Sequence, residues 1–153
     1  MDCTIWGLVK MVDNNPMESL TEIRVRYAET DQMGIVHHSN YLVWMELGRS
    51  DYLRQLGHSY VDWEKQGIRL VVAGIRIKYR APALYDERVQ IRTRLLEGGR
   101  RKVVFGYRME RNGICLAEGE SEHLVTGIDG KARILPEELL KLIKGSELGP
   151  SAK

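Results

Sequence analysis

Two cysteines in 153 residues, at positions 3 and 115, are too few and too far apart to form a C-x-x-C pair. That argues against a disulfide framework and against a cysteine-based zinc site, and it leaves a reducing, cytoplasmic compartment as the expectation. Long hydrophobic runs are missing too. The stretch Ile5-Trp6-Gly7-Leu8-Val9 is broken at Lys10, too short for an export-signal core and far too short to span a bilayer. Neither sign of charge dominates: 23 Lys and Arg against 21 Asp and Glu leave +2, too little to ask for a nucleic-acid partner. A glycine-rich phosphate loop is absent, which disfavours nucleotide hydrolysis. No internal repeat or low-complexity tract appears.

What remains is an ordinary composition, 43% hydrophobic and 29% charged, in a length suited to one domain with a real core. Residues 1–19 read as a lead-in, with Asn14-Asn15-Pro16 as a breaker and with Met11 and Met17 as alternative starts. Residues 20–145 read as the domain and 146–153 as a tail. Ile23, Val25 and Tyr27 alternate with Arg24 and Arg26, the period of a half-buried strand. From Tyr41 to Leu56 apolar residues fall at helical spacing, with Ser39 or Asn40 as N-cap and Gly57 as the stop. Val43, Trp44 and Leu47 widen its apolar surface, so the helix should be covered on most sides.

Beyond about Ile68 the pattern is antiparallel sheet, with strands over 68–80, 86–97, 101–111 and 114–126. Ala81-Pro82 and Gly98-Gly99 separate the first three. Asn112-Gly113 is a type I′ hairpin signal, and Asp129-Gly130 marks another turn. Pro136 opens a short last helix to Ile143. One strand, a helix covered on most sides and then four strands imply an α+β fold, a curved antiparallel sheet wrapped around a long central helix.

The segment between the first strand and the helix carries the chemistry. Asp31 lies in a polar break. Gly34 lets the backbone turn, and a helix begins eight residues after the aspartate, where unpaired N–H groups can hold developing negative charge. A base or nucleophile beside an oxyanion site suits acyl-group chemistry. Adjacent His37 and His38 point different ways with no third ligand at a recognised spacing, so metal is the weaker reading. Glu46 and Arg49, at i and i+3, are read as a structural pair on one helix face, with Glu46 as the alternative acting carboxylate. Arg100, Arg101 and Lys102 follow the Gly98-Gly99 turn, and Arg76, Lys78 and Arg80 alternate on one strand. Either basic set could meet the phosphates of a nucleotide-bearing carrier, or be a solvated surface.

Residues 27–54, with Tyr27-x-x-x-Asp31-x-x-Gly34, His38, Asn40-Tyr41 and Glu46-x-x-Arg49, resemble the hotdog-fold acyl-CoA thioesterases. The nearer likeness is to the 4-hydroxybenzoyl-CoA thioesterase type and its relatives beside the bacterial Tol–Pal system. Ile77-x-Tyr79-x-x-Pro82-Ala83 with Asp86 adds to it, and coverage runs over roughly residues 20–143. The resemblance implies a hotdog fold, hydrolysis of a CoA or acyl-carrier thioester, and no metal or redox cofactor. It makes Asp31 the catalytic carboxylate, as base or nucleophile. It gives the His38 backbone N–H the thioester oxygen, and sets Tyr27 near the carboxylate. Gly34, Asn40 and Tyr41 would meet substrate, and Arg100, Arg101 and Lys102 the CoA phosphates. It also implies a homodimer or homotetramer with sites between subunits, for which the 68–80 strand could pair with its own copy. Strand alternation alone would make Tyr27 a sheet-face residue. A hotdog hydratase or dehydratase, or a non-catalytic acyl-CoA-binding module, would share much of this pattern.

Overall fold

The computed structural model describes residues 17–144. The expected lead-in up to residue 16, with Cys3 and Met11, and the tail 146–153 lie outside the described residues. Five strands form one antiparallel sheet: β1 (Glu18–Arg24), β2 (Arg69–Tyr79), β3 (Arg88–Gly98), β4 (Lys102–Arg111) and β5 (Ile114–Thr126), in the order β1-β3-β4-β5-β2. Three helices accompany it: α1 (Asn40–Gln55), α2 (Tyr60–Lys65) and α3 (Glu137–Ile143). None of the described helices is long and apolar enough to cross a membrane.

Alternation builds the sheet. On β3, Val89, Ile91 and Thr93 are buried, and on β4, Val103, Phe105, Tyr107 and Met109 are buried, all on the face that α1 covers. The opposite face carries cross-strand ion pairs, among them Arg92–Glu110 at 2.6 Å and Arg92–Glu18 at 2.8 Å. The β4–β5 hairpin turns at Asn112 and Gly113, with φ of 49° and 78°. Both are left-handed, as a type I′ turn requires.

Helix α1 lies close on the sheet because Gly48 has no side chain. A Cβ there would meet Thr93 Oγ1 at 2.5 Å and Ile91 Cγ2 at 3.0 Å. At its far end Tyr52 donates to the Ile143 carbonyl at 2.9 Å, tying α1 to α3. Burial pushes the Tyr52 phenol up to about 12, so this donor stays protonated.

Four expectations change. The first strand is Glu18–Arg24 rather than 23–27, because a 3₁₀ turn over Tyr27–Glu29 takes the chain away from the sheet. Helix α2 was not foreseen. Its signal was Ser59-x-x-Asp62, a capping box, and Tyr60 pins it to β2 by accepting from Leu70 N–H at 2.7 Å and donating to Leu70 O at 3.0 Å. Helix α1 is covered on one face only: Leu42, Val43 and Leu47 stay 36–46% exposed, since a single sheet cannot close around it. Finally, Cys115 is disulfide-bonded, against the expectation of reduced thiols.

Candidate functional site

A cleft of about 390 Å³ opens where the loop before α1 meets the end of β2. Asp31, Ile35, His38, Tyr41, Tyr79 and Arg80 are among its walls. The loop is a small hairpin closed by a bridge between Thr30 and Val36. Asp31 N–H donates to Ile35 O and Gly34 N–H to Asp31 O, both at 2.9 Å. Gly34 makes the turn with a φ of +77°, which a side chain would strain. Asp31 Oδ1 accepts from Met33 N–H at 2.8 Å, and its Oδ2 makes no hydrogen bond among the described residues.

At the start of α1, Asn40 N–H donates to His37 O at 3.0 Å and Ser39 N–H to His37 Nδ1 at 3.3 Å, so the opening for an anion lies at His38. Ser39 occupies the N-cap position, yet its hydroxyl does not cap the helix. It meets His37 Nδ1 instead, at 2.8 Å. The His38 N–H has no partner among the described residues, and the His38 ring stacks on His37 with centroids 4.1 Å apart. Uncapped N–H groups at a helix start carry partial positive charge. No group of three or more metal-ligating side chains occurs among the described residues.

The floor is aromatic. Tyr41 is buried, with its ring edge-on to Tyr79 at 5.1 Å. Burial raises the pKa of both phenols, more than the Ala83 main-chain hydrogen bond lowers that of Tyr41. Tyr79 donates to the His38 carbonyl at 2.9 Å, and Val36 N–H donates to Ala83 O at 2.9 Å. The segment 79–83 thus holds the loop from the far side.

Of the residues singled out from sequence, Asp31, His38 and Tyr41 share the cleft, and Gly34 forms its turn. Asn40 faces inward, its amide donating to Glu29 O at 2.9 Å. Tyr27 is 77% exposed and packs edge-on against Tyr85, away from the cleft walls. Asp86, at φ 67°, binds Arg24 at 3.1 Å. Lys102 pairs in register with Leu124, whereas Tyr79 pairs with Ala117. Those seven residues along β5 put Arg100, Arg101 and Lys102 about 24 Å from the cleft in the same chain. Lys102 is also engaged by Glu97 at 3.2 Å and Glu122 at 3.7 Å.

The expected Glu46–Arg49 pair does not form. Both line a second cavity, of about 200 Å³, with Tyr60, Leu70 and Phe105. The Arg49 charge acts on Tyr107 and His123 behind that cavity, and Glu46 has no ion pair among the described residues.

Sequence reasoning missed Glu29. Its carboxylate is buried, accepting from Arg26 N–H at 2.8 Å, Trp44 Nε1–H at 3.0 Å and the Arg26 guanidinium at 3.3 Å. Burial alone would raise its pKa, but these three donors together bring it below the ordinary value. The spacing of Arg26 and Glu29 is that of a capping box, the one local signal that could have found it.

The thioesterase superfamily model matches residues 33–116, which include Gly34, His38 and both tyrosines of the cleft floor. A Bacillus subtilis relative, provisionally named an acyl-CoA thioesterase, is 49% identical over 89 residues, 58% of this chain and 64% of that one. That overlap spans a little under two thirds of the relative. An acyl-CoA thioester hydrolase of Escherichia coli is 30% identical over 125 residues, 80% of this chain and 92% of its own. Among solved structures, a hypothetical protein of Thermus thermophilus is 45% identical, with a TM-score of 0.79, covering 83% of this chain and 95% of that one. Sheet, helix and matched segment agree, and the chain belongs to the thioesterase superfamily, with the hotdog fold.

Proposed function

We propose that the protein hydrolyses acyl-CoA thioesters, R–CO–S–CoA plus water giving a carboxylic acid and free CoA, with Asp31 as the acting carboxylate. The observation that carries this is the shared cleft: Asp31, with one carboxylate oxygen unengaged, and the His38 N–H before a helix start with no side-chain cap, unpartnered among the described residues. A thiolate whose thiol resembles cysteine, with pKa about 8.5, leaves with little acid help. The protein must then supply activation of the attack and a place for the oxyanion.

In the base route Asp31 takes a proton from water as its oxygen bonds to the carbonyl carbon. The carbonyl electron pair moves onto oxygen, where the His38 N–H and the helix start hold it. Collapse breaks the C–S bond, and the departing thiolate takes from Asp31 the proton that came from water. In the nucleophile route an Asp31 oxygen attacks, CoA thiolate leaves, and water cleaves the resulting anhydride. Both routes use the same oxyanion donor and need no metal or redox cofactor.

The substrate-carrying surface belongs to an assembly of copies. Among the described residues β2 is an edge strand, with Val71, Val72, Ile75 and Tyr79 all 38–47% exposed. Antiparallel pairing of β2 with its copy would cover that edge and reverse its ends. The Arg100-Arg101-Lys102 end of one subunit then comes to the cleft end of the other, where CoA phosphates can meet it. A homodimer is the smallest such assembly, and a homotetramer extends it.

Thiol release followed over short, long and aromatic acyl-CoAs, and over acyl-carrier thioesters, tests the proposal. Stoichiometric acid and free thiol are expected from at least one class. Turnover at carbon without thiol release would make the protein a hydratase, and binding without turnover would make it a carrier module.

A further inference from the structure

Among the described residues Asp31 is hydrogen-bonded only within its own hairpin, so its direction depends on what anchors that hairpin to the fold. Glu29, two residues before Asp31, makes most of the anchoring contacts. Its carbonyl accepts from His37 N–H and from the Asn40 amide, both at 2.9 Å. Its carboxylate accepts from Trp44 Nε1–H on the first turns of α1 and from Arg26 N–H at the entry to the 3₁₀ turn. The residue is 4% exposed and Trp44 is fully buried.

We propose that Glu29 is the positioning residue of the site, fixing the Asp31 hairpin and the His38 N–H relative to each other through Trp44, Asn40 and His37. This rests on the reading of Asp31 as the acting carboxylate. The geometry gives it direction. The hairpin leaves Glu29 through Thr30 to reach Asp31, and returns through Val36 to His37, whose N–H comes back to Glu29. Glu29 is the knot at which both ends of the hairpin and the first residue of α1 meet. A shift of this knot moves Asp31 and the oxyanion donor separately, since one lies before the hairpin turn and the other after it.

Stability alone is a poor account of a buried carboxylate here. Burying a charge carries a desolvation cost that an apolar side chain of similar volume avoids. What the carboxylate provides is geometry: two oxygens that accept from three donors at defined angles, which an amide cannot match. In Glu29→Gln the amide NH₂ would face either the Arg26 N–H or the Trp44 N–H, donor against donor.

The test compares Glu29→Gln, Trp44→Phe and Asp31→Asn with wild type, using thiol release with kcat and KM separated, and melting temperature. Asp62→Asn is the control. It breaks the other capping box, Ser59–Asp62 on α2, with no link to the cleft. Displacement of reacting groups by about 1 Å costs on the order of 100-fold. Glu29→Gln is therefore expected to lower kcat by about 10- to 100-fold, with KM within about twofold of wild type. Trp44→Phe should show the same pattern more weakly, while Asp62→Asn lowers the melting temperature and leaves kcat alone.

A folded Glu29→Gln with wild-type kcat overturns the proposal, as does a loss that Asp62→Asn reproduces at equal melting temperature. Should Glu29→Gln fail to fold, Trp44→Phe decides, and wild-type kcat in that variant overturns the proposal equally. Asp31→Asn separates the two readings. If it stays active, the assignment of Asp31 fails. If it is inactive while Glu29→Gln keeps wild-type kcat, only the positioning role fails.

Discussion

The Tyr79 hydroxyl donates to the His38 carbonyl at 2.9 Å, joining the last residue of β2 to the peptide that precedes α1. Residues 41 positions apart in sequence thereby share the cleft, and the orientation of the His38 peptide is set from the sheet. Tyr79→Phe removes this tether and keeps the ring that packs on Tyr41. It should cost about 1 kcal/mol of stability and lower kcat by about 10-fold through a misdirected N–H. Steady-state kinetics and thermal melting check both, and an unchanged kcat would show that the tether serves stability alone.

Asp31→Asn should fold normally, because the amide oxygen can still accept from Met33 N–H. Its kcat should fall about 100-fold or more, as loss of a base or nucleophile commonly does. Glu46→Gln, at the second cavity, should lose little. The reverse ranking in thiol release would transfer the catalytic role to the helical carboxylate.

His38→Ala keeps the N–H and the helix start, so much of the activity should remain. His38→Pro removes that N–H, and loss of one oxyanion donor costs about 100- to 1,000-fold in kcat. Both variants must first show native circular dichroism. Equal, severe losses would mean that the imidazole acts, and equal, mild losses that the oxyanion is held elsewhere.

Replacing Arg100, Arg101 and Lys102 together by alanine should raise KM for acyl-CoA, flatten its dependence on salt and leave kcat nearly alone, the pattern of lost uniform binding. Because these residues lie far from the cleft of their own chain, the effect requires the assembled oligomer. An unchanged KM at low and high ionic strength would point instead to Arg76, Lys78 and Arg80.

Acid should destabilise the fold through His123. It is buried with its Nε2 at 2.7 Å from Ser121 Oγ, and burial, reinforced by the Arg49 charge, pushes its pKa from 6.5 down to about 4. The unfolded chain binds a proton that the folded chain refuses between those values. The stabilisation is complete above pH 6.5 and is lost as pH falls toward 4, by about 3 kcal/mol in all. Glu29, held below its ordinary 4.5, adds a further loss only at lower pH. Melting temperatures from pH 7.5 to 4.5 should fall in wild type and stay nearly flat in His123→Gln. Parallel curves would remove His123 as the cause.

Much of this protein is local and could be read along the chain. Asn112-Gly113 dictates its own turn because both residues tolerate positive φ. The period of two in 88–98 and 102–111 writes the strands, and the period of 3.6 in 41–56 writes α1. The Asp31-x-x-Gly34 hairpin is likewise a short-range object, since its hydrogen bonds close within six residues. Sheet order, in contrast, depends on pairings such as Leu20 with Arg92, 72 positions away, for which periodicity carries no address. The boundary of β1 moved because the Arg26–Glu29 contact competes with strand pairing. The Glu46–Arg49 pair failed because Arg49 lies against Tyr107 and His123, on β4 and β5, instead of Glu46 on its own helix face. Only the tertiary structure decided that Tyr79 and Glu29 grip the Asp31 loop from two sides, and that the basic hairpin lies at the opposite end of the sheet. Local backbone preference needs only neighbours in sequence, whereas the geometry of a site depends on which distant strands and helices pack together.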